Sequence, residues 1–232
     1  MTRPRTTFDR VLDEVGSAIA TGALPPGHTT SVERVADGTT SSRSVVREVT
    51  RVLTSLGMLR ASPRVGLVVQ APAHWDVLDP LVIRWRLGGP DREQQLTELR
   101  QLRAAVEPAA AAHAAEAVAR GGPGVEERAR HLAAAADALA AEAGAAGPAF
   151  LRADQALHAA VLALAGSATF SRLGEVIAEA LRDRALNERG HAPPDPHDVG
   201  LHLVLARAIG RGDAAAAAAA VREVVERAVP PA

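Results

Sequence analysis

Asp154 and His158 are the residues whose types and spacing point most directly to metal chemistry. They lie four positions apart in a stretch with helical spacing of apolar residues, so both side chains project from one face of a helix. His202 lies among apolar residues of a later helical pattern. A carboxylate and two imidazoles are suitable ligands for Zn²⁺ or Ni²⁺. The sequence therefore predicts either a three-ligand metal site or a buried Asp–His pair with His202 hydrogen-bonded nearby.

Arg43 and Arg47 have the spacing of a nucleic-acid contact. They lie four positions apart, on or beside the open face of a helix whose other face is a stripe of valines and leucines. Guanidinium groups bind phosphates and the O6 and N7 acceptors of guanine. Ser42 and Ser44 are weaker candidates for the same interface. The pattern predicts a helix that reads the major groove of DNA.

The neighbouring segments supply the other parts of a DNA-binding module. Ser31 is suited to cap a short helix, and Arg34 in its first turn can reach the DNA backbone. Two strand patterns, 58–61 and 67–70, predict a β-hairpin after the reading helix. Arg64 at its tip is placed to enter a minor groove. These elements together predict a winged helix-turn-helix.

This region resembles the DNA-binding domain of the GntR transcription factors over about the first 70 residues. The resemblance is carried by PPG at 25–27, SVERVA at 31–36 and SSRSVVREVTRVLTSLGML at 41–59. It implies that the usual DNA-contacting positions are Arg34, Arg43, Arg47 and Gly66. Thr39 and Ser41 stand where that family usually has apolar residues, so we expect the turn between the second and third helices to pack loosely.

The rest of the chain predicts a second, all-α domain. Helical spacing of apolar residues continues from residue 92 onward, over 125–143, 148–165, 169–187, 198–210 and 213–228. The predicted fold is therefore mainly α: a winged helix-turn-helix with a small β-hairpin wing, followed by an antiparallel helical bundle. The predicted domains are a DNA-binding domain (1–72), a packed linker (73–91) and an effector-binding and dimerisation domain (92–232).

The bundle resembles the effector domain of the FadR subfamily of GntR regulators. The resemblance rests on the Asp-x3-His pair and on the run from His202 to Gly212 and Asp213. It implies a divalent metal bound by Asp154, His158, His202 and a further His on the last helix, but that position is Val224 here. Three ligands plus water or an effector carboxylate would still suit one Zn²⁺ or Ni²⁺ per subunit. His191 and His197 are the alternative fourth ligands.

Arg103 is the candidate effector contact. In the resemblance it aligns with an arginine that faces the effector cavity, where a guanidinium binds a carboxylate with two hydrogen bonds. Glu107 lies one turn later and could instead hold Arg103 in an ion pair. The linker, with Trp75 and Trp85, resembles that of regulators responding to sugar acids. A sugar acid or similar carboxylate is therefore the expected effector; the alternatives are a metal-free regulator responding to an acyl ligand and, from another class, a metal-dependent hydrolase.

Composition limits the class of protein. The chain has 232 residues, no cysteine and a formal net charge of −1, and it contains no long apolar segment, so we expect a cytoplasmic protein without disulfides and without a membrane partner. Residues 1–70 contain nine arginines against six acidic residues, which makes the predicted DNA-binding part the basic one. A pseudo-palindromic operator would require two reading helices. We therefore expect a homodimer and no enzymatic activity.

Overall fold

The computed structural model describes residues 6–144, 147–185 and 193–227. The chain divides into two compact units, Met1–Gln95 and Leu96–Ala232. Within the described ranges it forms ten α-helices, a short 3-10 helix and a three-stranded antiparallel sheet. The mainly α fold class predicted from the sequence is confirmed.

The first unit contains the helices and strands of a winged helix-turn-helix. In chain order they are α1 (Thr7–Ala20), β1 (Thr29–Thr30), α2 (Val32–Thr39), α3 (Arg43–Ser55), β2 (Leu59–Ser62), β3 (Gly66–Val69), the 3-10 helix (Pro72–His74) and α4 (Pro80–Leu87). Helix α1 begins with a capping box, in which Thr6 and Asp9 satisfy each other's backbone amides. Its apolar face packs on α3 through buried residues that include Val11, Val15 and Val49. This packing leaves the opposite face of α3 exposed.

The sheet has one strand more than the sequence predicts. β3 lies in the centre and pairs with β2 as the expected hairpin, and with the two-residue β1, in which Thr29 opposes Val68. The hairpin strands are shifted by up to one residue from the predicted 58–61 and 67–70. A two-residue strand without alternating apolar residues carries no period-2 signal, so sequence patterns could not identify β1.

We expected loose packing in the turn between α2 and α3 because of Thr39 and Ser41. Polar contacts hold this turn instead. Thr39 is buried, and its hydroxyl donates to the carbonyl of Val35 at 2.8 Å. Arg10 of α1 donates to the carbonyl of Thr39 at 3.0 Å and to the hydroxyl of Ser41 at 3.1 Å. Thr40 ends α2 in the left-handed conformation with φ 51°. Hydrogen bonds therefore stabilise this turn in place of the apolar side chains that the resembled family usually has there.

The segment predicted as a packed linker belongs to the core of the first unit. Trp75, Val82 and Trp85 are buried in the same cluster as the apolar faces of α1 and α3. Trp85 donates its indole N–H to Asp13 of α1 at 3.0 Å. Gly16 of α1 leaves room for the Trp85 ring, because a Cβ there would lie 2.5 Å from it.

The second unit is a helical bundle. Its helices are α5 (Arg92–Arg120), which starts at the end of the first unit, and α6 (Val125–Ala141), α7 (Pro148–Leu164), α8 (Ala168–Asp183), α9 (Pro196–Gly210) and α10 (Ala214–Glu226). Helix α7 packs between α6 and α8, and α9 packs on α6 and α10. Alanines make up eight of the nineteen buried residues of the main core cluster, so several helix pairs approach closely. No helix in the described ranges is both long and apolar enough to span a membrane.

Candidate nucleic-acid interface and metal centre

The exposed face of α3 presents Arg43 and Arg47 as the sequence predicts. Both are exposed, whereas Val46, Val49 and Leu53 on the other side of the helix are fully buried. No ion pair or hydrogen bond to another described residue holds either guanidinium, although the charge of Glu33 acts on both. Two guanidinium groups on one open face can therefore both reach a nucleic acid.

The weaker candidates beside them have local structural roles. Ser42 caps α3 by accepting the amide hydrogen of Val45, and its hydroxyl lies 2.9 Å from that of Ser44. Arg34, in the first turn of α2, is exposed and donates to the carbonyl of Thr29 at 3.3 Å. The capping bond of Ser42 fixes the start of α3, where Arg43 is the first helical residue.

The hairpin presents Arg64 at its tip. Arg64 is exposed and has φ 65°, and Val65 closes the turn by donating its amide to the carbonyl of Ser62 at 3.2 Å. Gly66 has φ 101°, and a Cβ there would lie 2.6 Å from the carbonyl oxygen of Thr30. The glycine is therefore needed for the backbone to pair closely with β1, whatever else it contacts.

A cleft of about 570 Å³ separates the hairpin from the start of α2 and the middle of α3. Its lining includes Glu33, Arg47, Ser62 and Gly66. The cleft brings a residue of the reading helix and residues of the hairpin onto one surface. This is the arrangement that contacts two adjacent parts of a DNA duplex in winged-helix proteins.

The second unit brings Asp154, His158 and His202 together. Asp154 and His158 lie on α7, His202 lies on α9, and all three are buried. The two Nε2 atoms are 3.2 Å apart, and Asp154 Oδ1 lies 3.2 Å from His202 Nε2 and 3.6 Å from His158 Nε2. Ligand atoms of a tetrahedral metal with bonds of about 2.0–2.1 Å lie roughly 3.3–3.4 Å apart. The three atoms thus fit one face of such a site.

The oxygen atoms behind the two rings leave both Nε2 lone pairs facing this point. His202 Nδ1 lies 2.6 Å from the carbonyl oxygen of Asp198, which can only accept, so Nδ1 carries the hydrogen. His158 Nδ1 lies 2.8 Å from Oε2 of Glu107. Burial alone would raise the pKa of Glu107, but the adjacent charge of Arg103 holds that pKa below its usual value, so this carboxylate also accepts. Three acceptor atoms therefore face one another.

Three acceptor atoms at these distances repel one another unless a proton or a metal ion lies between them. Asp154 Oδ1 is buried. As long as both imidazole rings are neutral, it accepts no hydrogen bond from a described residue. Burial opposes protonation of His202, but the hydrogen bond and charge of Asp154 raise its pKa above the usual value. The same contact keeps the pKa of Asp154 well below its usual range, against the effect of burial. Either a proton on His202 or a metal ion satisfies the cluster, and the donor set fits the metal.

The described residues add none of the suggested fourth ligands to this set. Val224 is buried on α10 and has no ligand atom. His197 is exposed, with its Nε2 3.0 Å from Oε1 of Glu223. His191 lies outside the described residues. The predicted O, N, N set is therefore the group that the structure assembles.

Arg103 forms the ion pair that the sequence offered as an alternative to an effector contact. It is buried on α5, and its Nε donates to Oε1 of Glu107 at 2.5 Å. Since the other oxygen of Glu107 faces His158, Arg103 is connected to the cluster of Asp154, His158 and His202 through one carboxylate. The R-x3-E spacing showed the ion pair but gave no sign of the contact with His158, because that residue lies on another helix.

Asp198 is a site residue that sequence reasoning missed. It is buried in the first turn of α9, and its carboxylate accepts from Arg184 at 2.9 Å and from Arg227 at 2.8 Å. Its carbonyl accepts from His202. The carboxylate thus fixes the start of α9, which in turn holds the ring of His202. No motif marks it, since its partners follow α8 and α10.

Comparisons with known proteins agree with this architecture. The FCD domain matches residues 98–227 of the chain. A galactonate operon transcriptional repressor of Escherichia coli (strain K12) is 29% identical over 109 residues, which are 47% of this chain and 48% of that protein. The chain therefore spans about half the length of this curated relative.

Solved structures align with nearly the whole chain, and two of them have the following similarity to it. E. coli McbR/YncC has a TM-score of 0.53 and 15% identity, with 96% of this chain and 95% of the other covered. Streptococcus agalactiae GntR has a TM-score of 0.46 and 18% identity, with 94% and 97% covered. At this identity the likeness to McbR/YncC shows a shared fold. The Escherichia coli relative is named as a transcriptional repressor, which favours a regulator over the metal hydrolase.

Proposed function

Because this chain belongs to the FCD domain family, we propose that it is a GntR-type, cytoplasmic DNA-binding repressor controlled by a small carboxylate. The exposed, unpaired face of α3 with Arg43 and Arg47 carries the DNA-binding part of this proposal. Arg34, Ser42, Ser44, Arg64 and Gly66 would contact the DNA around it. The operator would be a pseudo-palindrome bound by two copies of the chain.

Replacement of the reading arginines tests this proposal. A preferred duplex would be selected with wild-type protein from a random library, and its affinity for each variant measured by fluorescence anisotropy. Arg47→Ala should weaken binding by about 1–3 kcal/mol per half-site without unfolding the protein. If Arg47 contacts a phosphate, the salt dependence of binding should also fall by about one unit per half-site.

Arg172→Ala is the matched control. It removes the same charge from an exposed position of the second unit, where Arg172 is paired with Glu175. It should leave affinity for the operator close to that of wild type. Unchanged affinity of the Arg43→Ala, Arg47→Ala double variant would contradict the DNA-binding role of α3.

The effector is proposed to be a sugar acid or a related small carboxylate. The 29% sequence identity over 109 residues with a repressor named for a galactonate operon supports this class, because galactonate is a sugar acid. Arg103 would contact the carboxylate in addition to Glu107, because a guanidinium has five N–H donors and its hydrogen bond to Glu107 uses Nε. Binding would lower operator affinity by changing the relative placement of the two reading helices in a dimer.

Asp154, His158 and His202 are proposed to hold one Zn²⁺ or Ni²⁺ per subunit. Their three ligand atoms leave a coordination position for water or for the effector carboxylate, since Val224 offers no fourth ligand. A bound ion would supply a Lewis acid for a carboxylate oxygen. The three side chains would orient that ion toward the ligand.

Metal content tests this part of the proposal. Protein purified without chelator and then incubated with Zn²⁺ or Ni²⁺ should contain about one ion per subunit by elemental analysis. His158→Ala should lose the ion, because two ligands remain. His197→Ala should keep it, since His197 is exposed and paired with Glu223. Less than about one ion per ten wild-type subunits would contradict a metal site.

A further inference from the structure

Glu107 is a buried carboxylate that none of the proposed roles includes. It lies on α5, is 2% exposed, and stands between two partners on different helices. Oε1 accepts from Arg103 Nε at 2.5 Å, and Oε2 lies 2.8 Å from Nδ1 of His158 on α7. A buried carboxylate with this pair of partners does more than neutralise an arginine.

The position of Glu107 decides which ring nitrogen of His158 carries a hydrogen. A neutral imidazole has one N–H and one lone pair, and an ionised carboxylate can only accept. Contact with Glu107 therefore places the hydrogen on Nδ1 and leaves the lone pair on Nε2. That lone pair faces Asp154 Oδ1 and His202 Nε2. With the other tautomer, Nε2–H would occupy the space where a metal must bind.

We infer that Glu107 is a positioning residue, held by Arg103, that fixes the tautomer and ring orientation of His158 and thereby presents Nε2 to the metal. The inference rests on the metal part of the proposed function. Carboxylates behind ligating histidines typically change metal affinity about 10- to 100-fold. Arg103 has a second task in this arrangement, since its ion pair sets the direction of the carboxylate. The sequence suggested the ion pair between Arg103 and Glu107 but not the contact between Glu107 and His158.

The test compares Glu107→Gln with wild type and with Glu116→Gln. Glutamine keeps the size of the side chain and removes its charge. Glu116 is the matched control, because it is an exposed carboxylate on the same helix, 3.3 Å from a ring nitrogen of His113. Zn²⁺ affinity measured against a competing chelator should fall about 10- to 100-fold in Glu107→Gln and stay unchanged in Glu116→Gln.

The second readout needs no metal. In ¹⁵N-labelled, metal-free protein, the ring nitrogens of His158 report the tautomer by their chemical shifts, and the His158→Ala spectrum identifies them. Wild type should show Nδ1–H, and Glu107→Gln should gain the Nε2–H form. If that variant does not fold because Arg103 is left without its carboxylate, Arg103→Met with Glu107→Leu removes both charges and the acceptor beside His158 Nδ1, and the same two results are expected.

The outcomes separate this inference from the proposed function. An unchanged tautomer together with Zn²⁺ affinity within about twofold of wild type would overturn the role of Glu107. Wild-type protein that binds no metal would overturn the metal site instead. In that case a tautomer change on Glu107→Gln still supports the positioning of His158, and its absence still refutes it.

Discussion

Asp154 faces two histidines whose hydrogens point away from it. His202 donates Nδ1–H to the carbonyl of Asp198, and Nδ1 of His158 lies 2.8 Å from the carboxylate of Glu107. The carboxylate can gain a donor only if His202 takes up a second proton, and the raised pKa of His202 reflects that possibility. A proton and a metal ion therefore compete for the same small volume.

This competition predicts how metal binding depends on pH. The pKa of His202 is raised, so below that pKa the metal-free protein carries a proton that the ion must displace. Zn²⁺ affinity should therefore fall as pH decreases, by up to about tenfold per pH unit for one proton, starting above the usual histidine pKa of about 6.5. A chelator-competition titration between about pH 8 and pH 6 measures this slope. Constant affinity across that range would contradict the competition.

Sequence reasoning grouped Asp154, His158 and His202, but it did not identify the residues that contact them from behind. Asp154 and His158 share a helix, so their four-residue spacing is sufficient to place them side by side. His202 was found because a polar residue interrupted an apolar pattern. Glu107 and Asp198 act through contacts with residues on other helices, and the periodicity of one helix contains no information about such contacts.

At the level of helices and strands, α1 has more functions than its pattern suggested. Its apolar face packs on α3. Its polar side also matters, because Arg10 holds the turn before α3 and Asp13 accepts from Trp85. The spacing of apolar residues in α1 therefore accounts for its buried face, while the tertiary contacts of its charged residues are visible only in three dimensions.

Gly16 allows α4 to pack against α1, which gives a stability prediction. A Cβ at this position would lie 2.5 Å from the ring of Trp85. Gly16→Ala should therefore lower the free energy of unfolding of the first unit by about 1–3 kcal/mol through overpacking. Both tryptophans lie in this unit, so tryptophan fluorescence during urea unfolding follows it selectively.

Gly38→Ala is the control for this substitution. Gly38 is also helical, but nothing lies within 4 Å of the position that its Cβ would take. Alanine there should be neutral or stabilise by about 0.5–1 kcal/mol, because glycine is a poor helix former. A Gly16→Ala protein as stable as wild type would show that α4 is not closely packed on α1 in solution.

For the whole molecule, the sequence predicted the class of fold and the order of its parts. The GntR-like segments and the helical remainder were sufficient for that, because each depends on local spacing. The boundary was less well determined: 73–91 was assigned to a linker, whereas its buried tryptophans join the core of the first unit. Burial of a linker depends on what surrounds it, and composition alone does not reveal its partner.

We expect the whole molecule to act as a dimer of two identical chains. The reading unit has only a modest excess of arginine, so one copy should bind DNA weakly and two linked copies should bind a palindrome about 10²–10⁴ times more tightly. Light scattering at micromolar concentration should give the mass of a dimer. Anisotropy should show a large loss of affinity when one half-site is scrambled. A monomer that also binds full and half operators equally would contradict this prediction.

The alanine-rich core of the second unit affects how its stability responds to temperature. An alanine buries less apolar surface than a leucine or valine, and the heat capacity of unfolding grows with the apolar surface that becomes exposed. With eight alanines among nineteen core residues, the increment per residue should be small. Its stability curve should therefore be flatter than that of a leucine-rich bundle, with less curvature toward both heat and cold.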